Sequence, residues 1–599
     1  MASDRVRMVL TFAVVLVAAN LRGAERAVEK NVDRSPVDVA FGPDESWLVT
    51  ANQTSDSVSL LRASDGAVLD EVKVGRRPAA VAISADGGRV LVSGSYSGDV
   101  SVLAVQDNKL RTVATIRVGF EPHGIAVSRD GRTAYVALAA ASQVAVLDLE
   151  HNQVAARIEV GRWPRYLALS PDGTRLAVGT TGDRGVSVVD TATRQMIFKE
   201  SFYGLNVGHM QISADNQHVF FPWTMYGLRQ ISPFNIRQGW VLGSRIGRVR
   251  LDGPARREAM SLDPQGQAVA DVFGLALTDD EQRLVASSSG THELLVYRAA
   301  GLPLSEYGNL DHIDPALLRD RERFFRVPVG GRPLGLRISH DNRSVFVANY
   351  LENAVQVVDL DERKLVRSLP LGGPEQPSLA RRGEAIFYDA GRSLDQWYSC
   401  HSCHYDGGTN ADRMDTFNDG TANTFKTILP LFDLHETGPW TWHGWQTDLR
   451  DAMRTSLTST MQGQPPTDDD VDALLAYFRS LTPPPNPFRQ PDGSLTAAAG
   501  RGEKIFRGAK AGCATCHSGS HFTDGQIHDV GLGSPEDKYQ GFNTPTLAGV
   551  YRKIRLLHDG RARSLEQLLT EHHNPAQIIG QGELTDDERR DLIEYLKSL

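Results

Sequence analysis

The chain has 599 residues, a formal net charge of −9, 41% hydrophobic residues and 23% charged residues. At ~100–200 residues per domain this means three to five domains, or one large repeat architecture with additions, and ample apolar material for a core. The acidic balance excludes the basic surface that a nucleic-acid binder needs, and no apolar run reaches the ~20 residues of a membrane-spanning helix. All four cysteines lie beyond residue 399, which excludes a disulfide-stapled scaffold and points to a local use of sulfur.

At the N-terminus, Arg5 and Arg7 precede an apolar stretch from Met8 to Ala19 that ends in small residues. This is the layout of a secretory signal over residues 1–24, with cleavage contexts at Val17-Ala18-Ala19 and Arg22-Gly23-Ala24. An uncleaved membrane anchor is the alternative. Either way the bulk of the chain is expected outside the cytoplasm, in the periplasm, and with no cysteine here a lipoprotein is excluded.

Residues 30–375 repeat. The segments PVDVAFGPD, PAAVAISAD, PHGIAVSRD, PRYLALSPD, GHMQISAD, FGLALTDD and PLGLRISHD end at Asp44, Asp86, Asp130, Asp172, Asp215, Asp280 and Asp341, with spacings of 42, 44, 42, 43, 65 and 61. Each alternates apolar and small residues, turns, and enters another apolar run such as TAYVALA, then a third such as QVAVLDLEH. Several short antiparallel strands per ~40–45-residue unit are the signature of a β-propeller blade, so seven repeats predict a seven-bladed β-propeller. WLVTANQ around Thr50 and VFVANY around Asn349 resemble YVTN-type propeller repeats. The two long spacings place insertions near Phe221 to Pro254, with Trp223, Tyr226 and Trp240, and near Leu302 to Phe325, charged and helical at its end. Such insertions are either functional or strand extensions that cap the propeller. His123 and His209 start innermost strands without a carboxylate partner, and read as channel-lining polar groups rather than metal ligands. The propeller reads as a docking module.

Cys400-His401-Ser402-Cys403-His404 and Cys513-Ala514-Thr515-Cys516-His517 both spell the c-type haem attachment pattern. Each cysteine pair can form thioethers to the two vinyl groups of one haem, and His404 or His517 reaches the iron as proximal ligand. A zinc site would want four ligands, and each motif offers two thiolates and one imidazole. The flanks repeat too. Arg382-Gly383-Glu384-Ala385-Ile386-Phe387 and Arg501-Gly502-Glu503-Lys504-Ile505-Phe506 precede the motifs, while Thr467-Asp468-Asp469 through Leu481 matches Thr585-Asp586-Asp587 through Leu599 without a gap. Two all-α cytochrome c domains follow, 378–485 and 488–599, joined by the stiff Thr482–Pro487 stretch, with Gly372 to Pro377 separating them from the propeller.

Phe542-Asn-Thr-Pro-Thr-Leu547, Leu557-His-Asp-Gly560 and Ser564-Leu-Glu-Gln567 resemble the bacterial di-haem cytochrome c peroxidase superfamily, which includes the di-haem enzymes that mature the methylamine dehydrogenase cofactor. The resemblance covers about residues 380 to 599. It implies a distal iron ligand at His572, with His573 beside it; the other reading is that both histidines end a surface helix. In the first domain Trp440-Thr-Trp-His-Gly-Trp445 and Leu449 stand where the family has an aromatic-Asp-Gly stretch. The family's distal catalytic Glu falls at Asp451, a general acid/base or a surface helix residue. Met461 is the distal ligand candidate for the first haem, with Met453 a second candidate or a core residue. The tryptophans near His443 serve electron transfer between haems or simple packing. The family also holds a calcium ion, for which no ligand set is recognisable in this sequence. These features predict an exported protein with two covalent c-type haems that reduces hydrogen peroxide or oxidises a redox partner, assisted by Asp451. The alternatives are a pure electron carrier whose irons are both six-coordinate through Met461 and His572, and an oxidoreductase site in the propeller that uses the haems as its electron outlet.

Overall fold

A computed structural model describes residues 29–253, 257–306, 311–579 and 581–599. The expected signal at 1–24 lies outside the described residues, among which no helix is long and apolar enough to cross a membrane. Seven antiparallel sheets succeed one another along the chain, at 36–73, 78–117, 122–159, 164–201, 204–261, 272–328 and 333–370. Six have four strands in sequence order. The fifth adds a two-residue strand, Gln211–Ile212, beside His218–Tyr226. This is the expected seven-bladed propeller.

The recurring aspartates explain the period. In six blades the Asp sits two residues after a Ser or Thr whose hydroxyl donates to it at 2.5 to 2.6 Å, as in Ser84–Asp86, Ser213–Asp215 and Thr278–Asp280. The same carboxylate accepts a backbone N–H two residues on, closing the turn between the first two strands. The ring is closed by side chains: Asn353 of the last blade accepts from the N–H groups of Arg34 and Ser35 and donates to Asp33.

Both insertions leave the propeller to meet the first haem domain. The strands His218–Tyr226 and Leu242–Arg250 form a long hairpin whose tip carries the Pro233–Arg237 helix. Trp223 stays in the propeller core against Phe202. Tyr226 donates through its hydroxyl to the Arg413 carbonyl, and the Ile231 N–H donates to the Asp415 carbonyl. Trp240 Nε1 donates to Asp311 of the second insertion at 2.9 Å, and that insertion carries a helix at Pro315–Arg319. Apolar residues of the first insertion and of the first haem domain share one core, which includes Tyr226, Ile231, Trp397 and Met414.

The two helical domains have one frame. In each, a helix that carries the repeated Arg-Gly-Glu sequence (Leu379–Phe387, Ala497–Arg507) crosses a terminal helix (Asp468–Ser480, Asp586–Lys597). The glycine of the repeat sits at the crossing. A Cβ at Gly383 would lie 1.9 Å from the Ala473 carbonyl oxygen, and one at Gly502 would lie 1.9 Å from that of Asp591. Only glycine permits this approach. Each terminal helix opens with a capping box, Thr467 with Asp470 and Thr585 with Glu588, and has acidic residues in its first turn, where the helix dipole favours them.

A set of blade residues docks the haem domains. The residues just before the inner strands include Ser35, Glu121, Asn206 and Asp271, all with left-handed backbone at φ 49–54°. Such conformations cost ~1–2 kcal/mol for a non-glycine residue, and these four reach across to the helical domains. Ser35 accepts from Arg381, Glu121 pairs with Arg552, Asn206 donates to the Ser402 carbonyl, and Asp271 accepts from both Ser399 and Ser402. The first haem motif thus plugs the mouth of the propeller. Asp406 stands there 3.9 Å from both Arg165 and Arg332. Burial pushes its carboxyl up, but His401 and the arginines outweigh this and bring it to about 2.

Candidate functional site

Each attachment motif opens onto a cavity of its own. The first is walled by Cys400, Cys403 and His404 on one side and by Met453, Leu457 and Met461 on another. Ser399 caps the Cys400–Cys403 turn, and its hydroxyl is itself held by Asp271. His404 Nδ1 lies 3.0 Å from the Leu429 carbonyl, which fixes the ring and turns Nε2 toward the cavity. Burial pushes this imidazole down to about 4, so it is neutral and able to bind a metal. The second cavity repeats the plan: Cys513, Cys516 and His517 line it, His517 Nδ1 lies 3.1 Å from the Phe522 carbonyl, and burial again lowers the ring to about 4.

The donor chemistry fits covalent haem better than a thiolate-bound ion. Burial pushes the thiols of Cys400 and Cys403 up to about 12 and that of Cys513 to about 11, so they are held neutral. Among the described residues one other group could gather an ion, Cys516, Asp524 and His528. There His528 Nε2 is already 2.8 Å from the Asp524 carboxylate, and Cys516 belongs to the attachment motif.

Two of the expected site residues lie outside the walls of the two cavities. The expected distal ligand His572 is not a wall of the second cavity; its Nε2 lies 3.8 Å from Glu571. His573 lines the cavity instead, half-buried, with its buried Nδ1 free of any hydrogen-bond partner. The cause is a π turn over Leu568–His572, in which the His573 N–H donates to the Leu568 carbonyl five residues back. The inserted residue rotates the next side chains by roughly a third of a turn. The first domain has the same device: a π turn at Ser456–Thr460, with the Met461 N–H on the Ser456 carbonyl, delivers Met461 into the first cavity, its sulfur 3.7 Å from Cys400 Sγ. Met461 and His573 are therefore equivalent positions. Met453 lines the first cavity as well.

The second of these residues is Asp451. Its side chain is 77% exposed and bonded to Arg454 at 3.1 Å, whereas Leu449, Ala452 and Met453 of the same helix face the cavity. The helix turns Asp451 to solvent, away from the cavity. His123 and His209 hold no metal cluster among the described residues. His209 lies between the rings of Tyr166 and Phe273, and burial, then Arg165, brings His123 down to about 3.

Between the cavities lies an aromatic partition. Trp442 lines both, oriented by an Nε1 hydrogen bond to the Thr427 carbonyl at 2.8 Å. Beside it His443, which faces the first cavity, stacks on Phe542 at 4.7 Å, and Phe542 stacks on His558 of the second at 4.3 Å. His443 Nδ1 meets the Gly541 carbonyl, while its buried Nε2 has no hydrogen-bond partner, with Asp537 3.5 Å away and Lys426 bonded to Asp537. The sequence pointed to Trp442 and His443; Phe542 and His558 stood only as part of a motif.

These features define a class, a β-propeller fused to a di-haem, peroxidase-like cytochrome c region. A cytochrome c family model matches residues 499–599. The gamma subunit of hydrazine synthase from Kuenenia stuttgartiensis is 30% identical over 278 residues, 38% of this chain and 79% of that protein. The methylamine utilization protein MauG of Methylorubrum extorquens is 26% identical over 289 residues, 38% of this chain and 80% of that protein. Cytochrome-c peroxidase IdrP2 of Denitromonas iodatirespirans is 25% identical over 217 residues, 29% of this chain and 57% of that protein. A solved chain of Kuenenia stuttgartiensis hydrazine synthase shares the fold over 56% of this chain and 98% of its own length, with a TM-score of 0.50 and 23% identity. The chain belongs to the family of di-haem peroxidase-like cytochromes that includes the hydrazine synthase gamma subunit and MauG, and it carries covalent c-type haem.

Proposed function

We propose that this protein is an exported di-haem oxidoreductase that moves electrons between one haem held by Cys400, Cys403 and His404 and a second held by Cys513, Cys516 and His517. When bound, each haem supplies a one-electron iron centre. The chain's own residues do the rest. His404 and His517 are kept neutral and aimed by backbone carbonyls, and Met461 and His573 offer a second ligand atom in each cavity. Trp442 fills the space between the two cavities with a conjugated ring held in one orientation. The observation that carries the proposal is this shared wall: one tryptophan, positioned by the Thr427 carbonyl, belongs to both cavities. With Met461 and His573 both in place the resting protein is expected to be six-coordinate at both irons. The propeller's part is to clamp the first haem motif and present the assembly to a redox partner.

A second reading, peroxide reduction, rests on His443. The His443 ring lines the first cavity, and its buried, unbonded Nε2, 3.5 Å from Asp537, is a candidate to pass a proton to the cavity with Asp537 and Lys426 beside it. Electron paramagnetic resonance of the oxidised and one-electron-reduced protein separates the two. Two low-spin signals that persist in both states support the electron carrier; a high-spin signal in either state that is lost on adding peroxide supports reduction at an open iron. Trp442→Phe is expected to slow electron exchange between the haems by about tenfold or more, ~1.4 kcal/mol of barrier, with both absorption spectra unchanged. An unaltered rate would remove the tryptophan from the path.

A further inference from the structure

The chain is acidic overall, yet a cavity of about 250 Å³ between the propeller and the helical domains is walled by arginine. Arg162 and Arg184 come from the fourth blade, and Arg555 and Arg563 from the segment of the second haem domain that leads to the His573 turn. One carboxylate, Asp183, is itself part of the wall and a second, Asp412, stands nearby, and both are engaged. Asp183 receives Lys199 at 2.9 Å and the Arg162 backbone N–H at 3.1 Å. The buried Asp412 pairs with Arg184, takes the Arg413 backbone N–H at 2.8 Å, and has Arg555 3.7 Å away, beyond direct hydrogen-bond reach. The guanidinia of Arg162 and Arg563 meet no protein acceptor among the described residues. Arg413, whose Nε is buried without a partner, stands close enough to add its charge. Burial first, and then Arg184, Arg563 and Arg413, bring Arg555 down to about 10 despite Asp412.

Like charges gathered in a recess from two separate domains are costly unless something negative joins them. The shape suits such a guest. Arg184 and Arg555 lie at the inner end, the exposed Arg162 and Arg563 at the rim, and the planar forks match carboxylate and phosphate oxygens. We propose that this chamber is a binding site for a small oxyanion of the carboxylate, phosphate or sulfate class, completed only when the propeller and the second haem domain are docked. Ala411, Ile554 and Arg555 line both the chamber and the second haem cavity. The oxyanion therefore has two sources, a free ion entering past Arg162 and Arg563, or a propionate carboxylate of the second haem reaching through the shared wall. The inference does not depend on how either iron is ligated.

The test uses the full-length, haem-loaded protein, with inorganic phosphate as the probe and chloride at matched ionic strength as the control. For a free ion, calorimetric titration is expected to show saturable phosphate binding, weakened at least tenfold in the rim variant Arg162→Gln/Arg563→Gln. That variant leaves the Arg184–Asp412 pair intact, and a wild-type circular dichroism spectrum would show that it is folded. For a propionate, phosphate does not bind, and Arg555→Gln shifts the reduction potential of the second haem but not of the first in phosphate-free buffer. Absence of phosphate binding together with an unshifted second potential in Arg555→Gln overturns the proposal.

Discussion

The two haem domains are copies that have been put to different uses. They share the glycine crossing, the capped terminal helix, the carbonyl on the proximal histidine's Nδ1 and the π turn before the distal residue. They differ in what surrounds them. The first motif is a short helix, clamped by Asp271 and covered by the propeller's insertion. The second is a 3₁₀ turn without a side-chain cap. The residue that the π turn delivers to the cavity is Met461 in one and His573 in the other, the proposed distal ligands. Methionine ligation raises a haem's potential relative to histidine, so the pair is expected to be unequal, with the higher potential against the propeller. Duplication supplied the frame, and docking onto the propeller made the copies inequivalent.

The largest effects come from removing that inequality's cause. Met461→Ala is expected to convert the first haem alone to high spin, and His573→Ala the second alone, each read as loss of one of two low-spin resonance signals. His572→Ala should leave both signals in place. If His572→Ala abolishes a low-spin signal and His573→Ala does not, the π-turn register is wrong. Next in size is the clamp. Asp271→Asn removes the charged acceptor shared by the Ser399 and Ser402 hydroxyls, a change worth about 1.5–3 kcal/mol per charge-assisted bond. The loss should appear in thermal unfolding monitored at the first haem, with the second haem's absorbance midpoint unmoved. A shift of equal size at both haems would mean that the two domains unfold as one body with the propeller.

The seven blades were legible because an alternating segment ending in aspartate recurs seven times, in six of them with a hydroxyl two residues before the aspartate, and such local hydrogen bonds need no distant partner. The haem motifs were legible for the same reason. What escaped the sequence was set at a distance or by backbone register. Asp271 and Asn206 lie 131 and 196 positions from Ser402, and nothing in their neighbourhoods marks them except their shared place just before an inner strand. Likewise Arg184 and Asp412 are 228 positions apart. His572 was preferred to His573 because the family resemblance assigns the ligand by its place after the Ser564-Leu-Glu-Gln567 stretch, and a π turn over Leu568–His572 changes which of the two side chains lines the cavity. Hydroxyls of Thr458 and Thr570 that bond back to the carbonyls of Arg454 and Glu566 accompany both π turns, and such back-bonding bends helices. A threonine at the matching place in both copies was the available signal.

The smallest expected effect is also the most discriminating for chemistry. Asp451 occupies the slot where the family resemblance put a catalytic carboxylate, in the first domain, whose distal segment is one turn longer than that of the second. The helix presents that slot to solvent and gives the carboxylate to Arg454. Asp451→Asn should therefore change stability by less than about 0.5 kcal/mol, as exposed substitutions do, and leave any peroxide turnover at its wild-type rate across the pH range. His443→Gln, in contrast, keeps the ring's approximate volume but removes the imidazole from the wall of the first cavity. If peroxide reduction is the activity, its rate should fall in His443→Gln alone. A loss in Asp451→Asn would require that helix to turn its charged face inward, against the packing of Ala452, Met453 and Leu457 that now fills the core.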